Sequence, residues 1–499
     1  MKKNDKIELT IIDMTKDGLG LAKSSGQVFF VKDGIVGDKV ETIVTKVDKN
    51  VIYAKVLNII EKSQFRVDSK CNIANSCGGC QLLNLKYDKQ IDIKINYVLS
   101  CLKKIGNLKN ITSTDLNEYD STIEKYFDDN IDKSDNNKVI YDGIKKSKNI
   151  YNFRNKMQVP FANKNNKIIY GFYATRTHNI IECSKCEVGF VGSNIILEAI
   201  KYSLEKSNIS IYDEKTNNGL FREVMFRRGN TSKEVSITYI INDNNYKKNI
   251  DKYKSFDNIV IDYYNKYIKN KNEEHLDIVT STININTNNN NVIFGNENYT
   301  IRGKGYIEDT IGNIKYHISP ESFYQINMYM TKELYDTIIE FAEFSGDESV
   351  LDLYCGIGTI SLYIAKSVKC VKGIDVVEKA IENAKENAKI NSIDNVSFSC
   401  EDLTKNDLNK KIVLNYDTYD TIIVDPPRKG LDTNTIDFIN EVLPKKIIYV
   451  SCDPATLSRD INILCNGKES HYKVLKIKNV DMFPNTMHIE TVCLLQKCI

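Results

Sequence analysis

At 499 residues the chain is too long for one hydrophobic core, and domains of about 100–200 residues give an expectation of three. Hydrophobic residues at 41% and charged residues at 27% fit an ordinary soluble protein. No apolar run approaches the roughly 20 residues of a membrane span, and the start, MKKNDKIELT, lacks the apolar segment of an export signal. Lys and Arg number 68 against 66 Asp and Glu, a net charge of only +2, so bulk electrostatics neither supports nor excludes a nucleic-acid partner.

These readings point to the cytoplasm, where the thirteen cysteines stay reduced and serve as core residues, metal ligands or nucleophiles rather than disulfides. Residues 1–62 alternate apolar and polar positions between turn signals such as Asp33-Gly34 and Gly37-Asp38, which predicts a small antiparallel β-barrel. A cysteine-rich loop follows, and then a helix carried by Tyr87, Ile91, Ile95, Val98 and Leu102; Cys101 on that helix reads as core packing. From about 112 to 149 the chain is rich in Asp, Asn, Lys and Ser and reads as a solvated insertion. A second polar tract covers 283–291. Between them EVSITYII and NIVIDYY read as strands and GSNIILEAIKYSLEK as a helix, so 63–330 is expected to be a β-rich domain with one or two helices.

After 330 strands alternate with helices: SVLDLYCG, VKGIDVV, VSFSCEDL, YDTIIVDPP, KIIYVSCDP and two closing strands. That order predicts a doubly wound α/β sheet over 331–499, with ligands beyond the carboxyl ends of its strands. The first strand ends in Asp352-Leu353-Tyr354-Cys355-Gly356-Ile357-Gly358-Thr359, a turn whose glycines allow close backbone approach. The third glycine of a dinucleotide fingerprint is missing. S-adenosylmethionine fits better, with Asp352 as an anion near its sulfonium, Asp375 for the ribose hydroxyls and Asp402 for the adenine amino group.

The fourth strand ends in Val424-Asp425-Pro426-Pro427-Arg428-Lys429-Gly430 and the fifth in Val450-Ser451-Cys452-Asp453-Pro454. Five of seven prolines lie at 320, 426, 427, 454 and 484, stiffening loops along this rim. A thiolate at Cys452 can add to C6 of a pyrimidine and make C5 nucleophilic toward a methyl donor. The adduct must then lose its C5 proton to a general base, for which Glu490 in MFPNTMHIE is the candidate. Cys355 and Cys493 read as structural, while His488 could orient Glu490, bind phosphate or pack. Cys71, Cys77 and Cys80 form a close thiol group, with Cys183 or Cys186 available to complete four ligands for zinc or an iron–sulfur cluster.

SPESFYQIN, DLYCGIGT, VDPPRKG, YVSCDPATLSRD, MFPNTMHIE and the Cys71-x5-Cys77-x2-Cys80 spacing together resemble the RNA uracil-C5 methyltransferase family. Within it the resemblance is to the bacterial 23S ribosomal RNA branch with a TRAM domain and a [4Fe–4S] cluster, and it covers nearly the whole chain. It implies an OB-like N-terminal barrel that grips RNA, a Rossmann-like C-terminal domain that uses S-adenosylmethionine, and no obligate protein partner. Carried over by residue, it implies cofactor contacts by Gln325, Tyr354, Thr359, Asp375, Asp402 and Asp425. It makes Cys452 the nucleophile and Glu490 the base, and selects Cys71, Cys77, Cys80 and Cys186 as ligands of an iron–sulfur cluster. Two positions depart from the family: Asn485 stands where histidine is common, and Asp375 where glutamate is frequent. The implied substrate is RNA, with 23S rRNA favoured; a tRNA uracil-C5 enzyme, an RNA cytosine-C5 enzyme and a non-catalytic iron–sulfur RNA-binding protein are the alternatives.

Overall fold

A computed structural model describes residues 1–114, 121–128, 138–175, 177–271, 275–290, 292–403, 418–467 and 471–498. Contacts divide the chain into two compact units, one of Met1–Ile150 with Asp425–Ile499 and one of Tyr151–Val424.

The first unit begins with β1 (Lys6–Thr10), β2 (Asp13–Met14), β3 (Gly20–Ser24), β4 (Gln27–Lys32), β5 (Lys39–Val47) and β6 (Ile52–Glu61). They form one six-stranded sheet in the order β1-β5-β6-β4-β3-β2. Alternation puts Leu9, Ala22, Phe29, Val31, Val40, Val44 and Ile52 into a single apolar core, as the period-2 pattern predicts. The chain leaving the sheet is pinned by Asp38, whose buried carboxylate accepts from Ile35 N at 3.1 Å and Ser63 N at 3.0 Å and pairs with Arg66.

Helix α1 (Tyr87–Lys104) follows, with Cys101 buried among its apolar face as expected. Then come β7 (Ile111–Ser113), the short α2 (Ser121–Glu124) and β8 (Val139–Lys145). The region read as a solvated insertion therefore contributes two strands: β8 pairs in parallel with the later strand at 472–480 and with β7. The reason lies in VIYDGIK, where Val139 and Tyr141 are buried on one face; the polar composition around it hid a short alternating run.

The second unit holds a seven-stranded sheet of β9 (Lys156–Lys164), β10 (Lys167–Tyr173), β11 (Ile180–Glu182), β12 (Phe221–Arg228), β13 (Glu234–Ile241), β14 (Asp277–Ile285) and β15 (Glu297–Arg302), ordered β11-β10-β9-β12-β13-β14-β15. Two helices, α3 (Ser193–Lys206) and α4 (Ile250–Lys271), share one core with it. NIVIDYY, expected as a strand, lies inside α4. Its β-branched and aromatic residues suggested a strand, but Tyr253, Phe256, Val260, Tyr264 and Ile268 recur every three or four residues and all are buried, which is a helical face. In the polar tract at 283–291, Asn284 and Asn286 are buried staples: Asn286 Nδ2 donates to the Val292 and Ile293 carbonyls at 2.7 and 2.8 Å.

A hairpin of β16 (Ile307–Ile311) and β17 (Ile314–Ile318) leads to α5 (Thr331–Ala342). Parallel strands β18 (Ser349–Leu353), β19 (Cys370–Asp375), β20 (Val396–Cys400) and β21 (Thr421–Val424) then alternate with α6 (Thr359–Ile364) and α7 (Glu378–Ile390). Their order is β20-β19-β18-β21, the arrangement expected of a doubly wound sheet. The chain returns to the first unit with α8 (Thr433–Val442), β22 (Lys446–Ser451), α9 (Pro454–Asn466), β23 (Tyr472–Val480) and β24 (Glu490–Lys497). There β24 lies between β22 and β23 and runs antiparallel to both. No helix among the described residues is long and apolar enough to cross a membrane.

Candidate active site

In the second unit the turn after β18 is built by three residues of left-handed backbone: Tyr354 at φ 66°, Gly356 at φ 55° and Gly358 at φ 78°. Glycine accepts this freely, whereas a tyrosine there is strained, and such strain concentrates at functional turns. A Cβ on Gly358 would sit 2.8 Å from the Phe398 ring, so glycine is also needed for packing. Asp375, the last residue of β19, accepts from Gly356 N at 3.0 Å and from Val377 N at 2.8 Å. One carboxylate thus ties the first turn to the second and exposes Val376 and Val377 beside it.

Asp352 is fully buried and accepts from Ser361 Oγ at 2.5 Å, which fastens the turn to α6. Thr359 opens α6; its hydroxyl accepts from Tyr335 and its carbonyl from Tyr316. Asp402 follows β20 and is half-buried. Cys355 is buried with its thiol pushed up by desolvation, in keeping with a structural role. Gln325 is almost fully buried on a loop held at both ends: Asn155 Nδ2 donates to the Gln325 carbonyl at 2.8 Å, and Arg227 Nη2 to the Ser322 carbonyl at 2.7 Å. Tyr354 and Asp375 are therefore joined through Gly356, and Asp402 follows the strand next to β19.

In the first unit β22 and β24 pair with Ser451 opposite Thr491. Cys452 follows that last pair on the β22 side and Glu490 adjoins it on β24, near enough for the Glu490 carboxyl to act on the Cys452 thiol. Glu490 is buried, and its Oε2 meets no hydrogen-bond partner among the described residues. Burial first, and then Asp425, pushes its carboxyl well above the ordinary range, while Arg428 opposes the shift. Burial likewise pushes Asp425 up to about 7. The Cys452 thiol is pushed up to about 12 by burial and by the two carboxylates, with Arg428 again opposing. At rest Cys452 is a thiol, and Glu490 favours its proton.

The surrounding loops are fixed from below. Asp453 caps α9 by accepting from Ala455 N at 2.9 Å and Thr456 N at 3.1 Å, with Pro454 in the first turn, an arrangement that starts a helix and holds Cys452 at its mouth. The DPPRKG loop is tied to α9 by Arg459, which donates to the Lys429 and Leu431 carbonyls at 3.0 and 3.1 Å. A Cβ on Gly430, at φ 74°, would meet Asp460 at 2.5 Å. The segment before Glu490 is anchored to α1: Lys94 and Asp481 form a fully buried pair at 2.6 Å, and Tyr87 donates to Asp481 at 2.8 Å. Asn485, at φ 64°, is buried, exchanges hydrogen bonds with Gln90 and donates to the Ile150 carbonyl. These contacts hold the loop. His488 meets Arg428 at 3.3 Å.

The chain matches the family model described as tRNA (uracil-5-)-methyltransferase over residues 224–498. It is 36% identical to an RNA methyltransferase of Clostridium tetani over 99% of this chain and 97% of that one. A relative from Bacillus cereus, also named an RNA methyltransferase, is 34% identical over 100% of this chain and 98% of its own. The chain belongs to the tRNA (uracil-5-)-methyltransferase family. The tRNA (uracil-54, C5)-methyltransferase of Pyrococcus abyssi, solved with S-adenosyl-L-homocysteine, has a similar fold, with a TM-score of 0.71 and 25% identity over 98% of this chain and 99% of that one. As a member of this family the protein is an enzyme, an RNA methyltransferase.

The family's chemistry gives Arg428 an importance that its place in the motif did not announce. Its positive charge opposes the upward shifts of both Cys452 and Glu490, and a lone arginine after two prolines was the available signal. Cys71, Cys77 and Cys80 are half-buried on an irregular loop of the first unit, and Cys186 packs against the apolar core of the second. Among the described residues no three His, Cys, Asp or Glu side chains are gathered closely enough to hold a metal ion, so Cys71, Cys77 and Cys80 do not make a metal site by themselves as placed.

Proposed function

We propose that the protein transfers a methyl group from S-adenosylmethionine to C5 of a uridine in RNA, with Cys452 as nucleophile and Glu490 as base. The observation that carries this reading is a cysteine beside a buried carboxyl, one oxygen of which meets no partner among the described residues, on a chain of a uracil-C5 family. Cys452 gives its proton to water as its sulfur adds to uracil C6, and the C5–C6 electron pair moves through C5 to O4 as an enolate. C5 then takes the methyl group, and S-adenosylhomocysteine departs. Glu490, which has to give up its own proton to solvent first and is helped in this by Arg428, removes the C5 proton as a carboxylate; the C5–C6 double bond re-forms, and the Cys452 sulfur leaves as thiolate and regains a proton from water. The high thiol pKa keeps Cys452 unreactive until a base lies against it. Arg428 is the nearby charge that favours the anionic forms of both groups.

Gln325, Tyr354, Thr359, Asp375, Asp402 and Asp425 are proposed cofactor contacts, supported by the strand-end turns of β18 and β19 and by the resemblance. Residues 1–62 are proposed as a TRAM-like RNA-binding barrel, 63–330 as the central domain and 331–499 as the methyltransferase domain, in a cytoplasmic protein without an obligate partner. For the substrate, 23S rRNA is favoured by the Cys71-x5-Cys77-x2-Cys80 loop, and tRNA by the wording of the family and of the Pyrococcus enzyme. A [4Fe–4S] cluster on Cys71, Cys77, Cys80 and Cys186 rests on sequence alone. Iron and sulfide analysis of protein purified without oxygen checks it, with about four irons expected and zinc or no metal rejecting it.

The decisive experiment uses RNA containing 5-fluorouridine, in which fluorine cannot leave as a proton does. A retarded band on a denaturing gel is expected, dependent on S-adenosylmethionine and on Cys452. A band with 5-fluorocytidine RNA instead would make the enzyme a cytosine methyltransferase.

A further inference from the structure

The second unit contains a cavity of about 290 Å³ that the reaction does not use, lined by the ends of β9, β10, β11 and β12 and by the 211–215 segment. Its lining combines the aromatic rings of Phe161, Tyr173 and Tyr212 with the carboxylates of Asp213, Glu214 and Glu223. Tyr173 and His178 lie with ring centroids 5.6 Å apart, and both hold Glu214: Tyr173 OH donates to it at 3.1 Å and His178 Nδ1 lies 2.9 Å away. Across the cavity Arg222 covers the Tyr212 ring at 4.4 Å and is fixed there by the Asn286 and Asn288 carbonyls at 3.0 and 2.8 Å.

Between these surfaces sits Glu223. Gln158 Nε2 donates to its Oε2 at 3.2 Å, and no described residue is bonded to its Oε1. Desolvation, the largest cause, raises its carboxyl to about 7. A carboxylate drawn from water with one weak donor costs free energy unless something else donates to it. The balance of charge says what. Arg222 and Lys215 stand against Asp213, Glu214 and Glu223 in the lining, a small excess of negative charge, and Asp213 is already engaged by its own turn at Lys215 N and Thr216 Oγ1. The cavity thus suits a neutral, flat group that carries donors. A small cation would meet Arg222.

We propose that this cavity receives one unpaired guanine of the RNA substrate, stacked against Tyr173 and recognised through its N1–H and N2–H by Glu223. Among the bases guanine offers two adjacent donors to a carboxylate, and single-stranded RNA is read by such edge contacts combined with aromatic stacking. Lys215 is exposed at the rim, where it can meet the attached phosphate. This site rests on the RNA reading above and adds to it a specificity determinant away from the reacting base.

The test is footprinting with kethoxal, which attacks N1 and N2 of unpaired guanine, on an unmodified ribosomal or transfer RNA transcript that the wild-type enzyme methylates. One guanine protected by wild-type protein with S-adenosylhomocysteine is expected to become reactive with Glu223→Gln. The KM for that RNA is expected to rise about tenfold in both Glu223→Gln and Tyr173→Ala, the size of one lost base contact, with kcat and S-adenosylhomocysteine affinity unchanged. The absence of any guanine whose protection depends on Glu223, or an unchanged KM for RNA in both variants, overturns the proposal. An equal loss of kcat and cofactor affinity also overturns it, because Glu223 would then be a structural residue. A wild-type enzyme that methylates no RNA overturns the functional reading first, and a methylating enzyme with no such guanine overturns only this one.

Discussion

The loops that follow β18 and β19 differ from those that flank β22 and β24 in how their carboxylates are held. Asp375 has both oxygens filled by backbone N–H groups, and Thr359 has its hydroxyl filled by Tyr335. Glu490 and Asp425 are buried with raised carboxyl pKa values, and one Glu490 oxygen meets no hydrogen-bond partner among the described residues. In the proposed cofactor turn Asp375 is satisfied by the protein itself, so that the turn keeps its shape without a ligand. A chemical site holds groups whose proton affinities are displaced toward the values that transfer requires. The buried Lys94–Asp481 pair and the Asn485–Gln90 exchange show where the second arrangement is held: rigid contacts with α1 lie beneath the segment that delivers Glu490.

The largest expected effect is at the nucleophile. Cys452→Ala should lower methyl transfer by at least about 10³-fold, with S-adenosylhomocysteine affinity within about threefold of wild type by calorimetry. Equal loss of both would dissolve the distinction between the two regions. Next comes the base. Glu490→Gln should slow turnover by roughly 10²–10⁴-fold and leave methylated RNA covalently joined to the protein; release of product at the wild-type rate would move the base elsewhere.

Asp375→Ala should act on the other region. Losing two charge-assisted hydrogen bonds to the turns is expected to weaken cofactor affinity roughly 10–100-fold, while a saturating cofactor concentration restores single-turnover chemistry. A fall in the chemical rate that saturation cannot rescue would show that the turn also positions the reacting base.

The smallest effect is on stability. Asp425 has a folded pKa of about 7 against about 3.9 unfolded. The folded state therefore binds the proton more tightly, and this group's contribution is full below about pH 4 and is lost as pH rises toward 7. Asp425→Asn should flatten that decline in thermal unfolding between pH 4 and 7. An unchanged pH profile would place the raised carboxyl on Glu490 alone.

Much of this was legible in short motifs. GIG before α6, the acidic ends of β19 and β20, and the proline-bounded loops around Asp425 and Cys452 are local signals, because a turn of left-handed backbone or a capped helix is specified by adjacent residues. NIVIDYY failed for the same reason in reverse: seven residues do not show a face that spans 253–268. VIYDGIK was lost inside a polar stretch although Val139 and Tyr141 are buried, since pairing with β23 depends on a partner more than 300 residues away.

By itself the sequence determined most of the C-terminal elements, their alternation of strand and helix, the glycine turn after the first of those strands and the choice of Cys452 as the candidate nucleophile. These follow from periodicity, glycine and proline geometry, and the chemistry of single side chains. Only the tertiary structure decided that Glu490 lies near Cys452, that Asp352 and Asn485 are buried and bonded to Ser361 and Gln90, and that Asp425 and Arg428 act on the carboxyl of Glu490 and all three on the thiol of Cys452. Burial and through-space electrostatics fall off with distance in three dimensions, and separation along the chain carries no record of them.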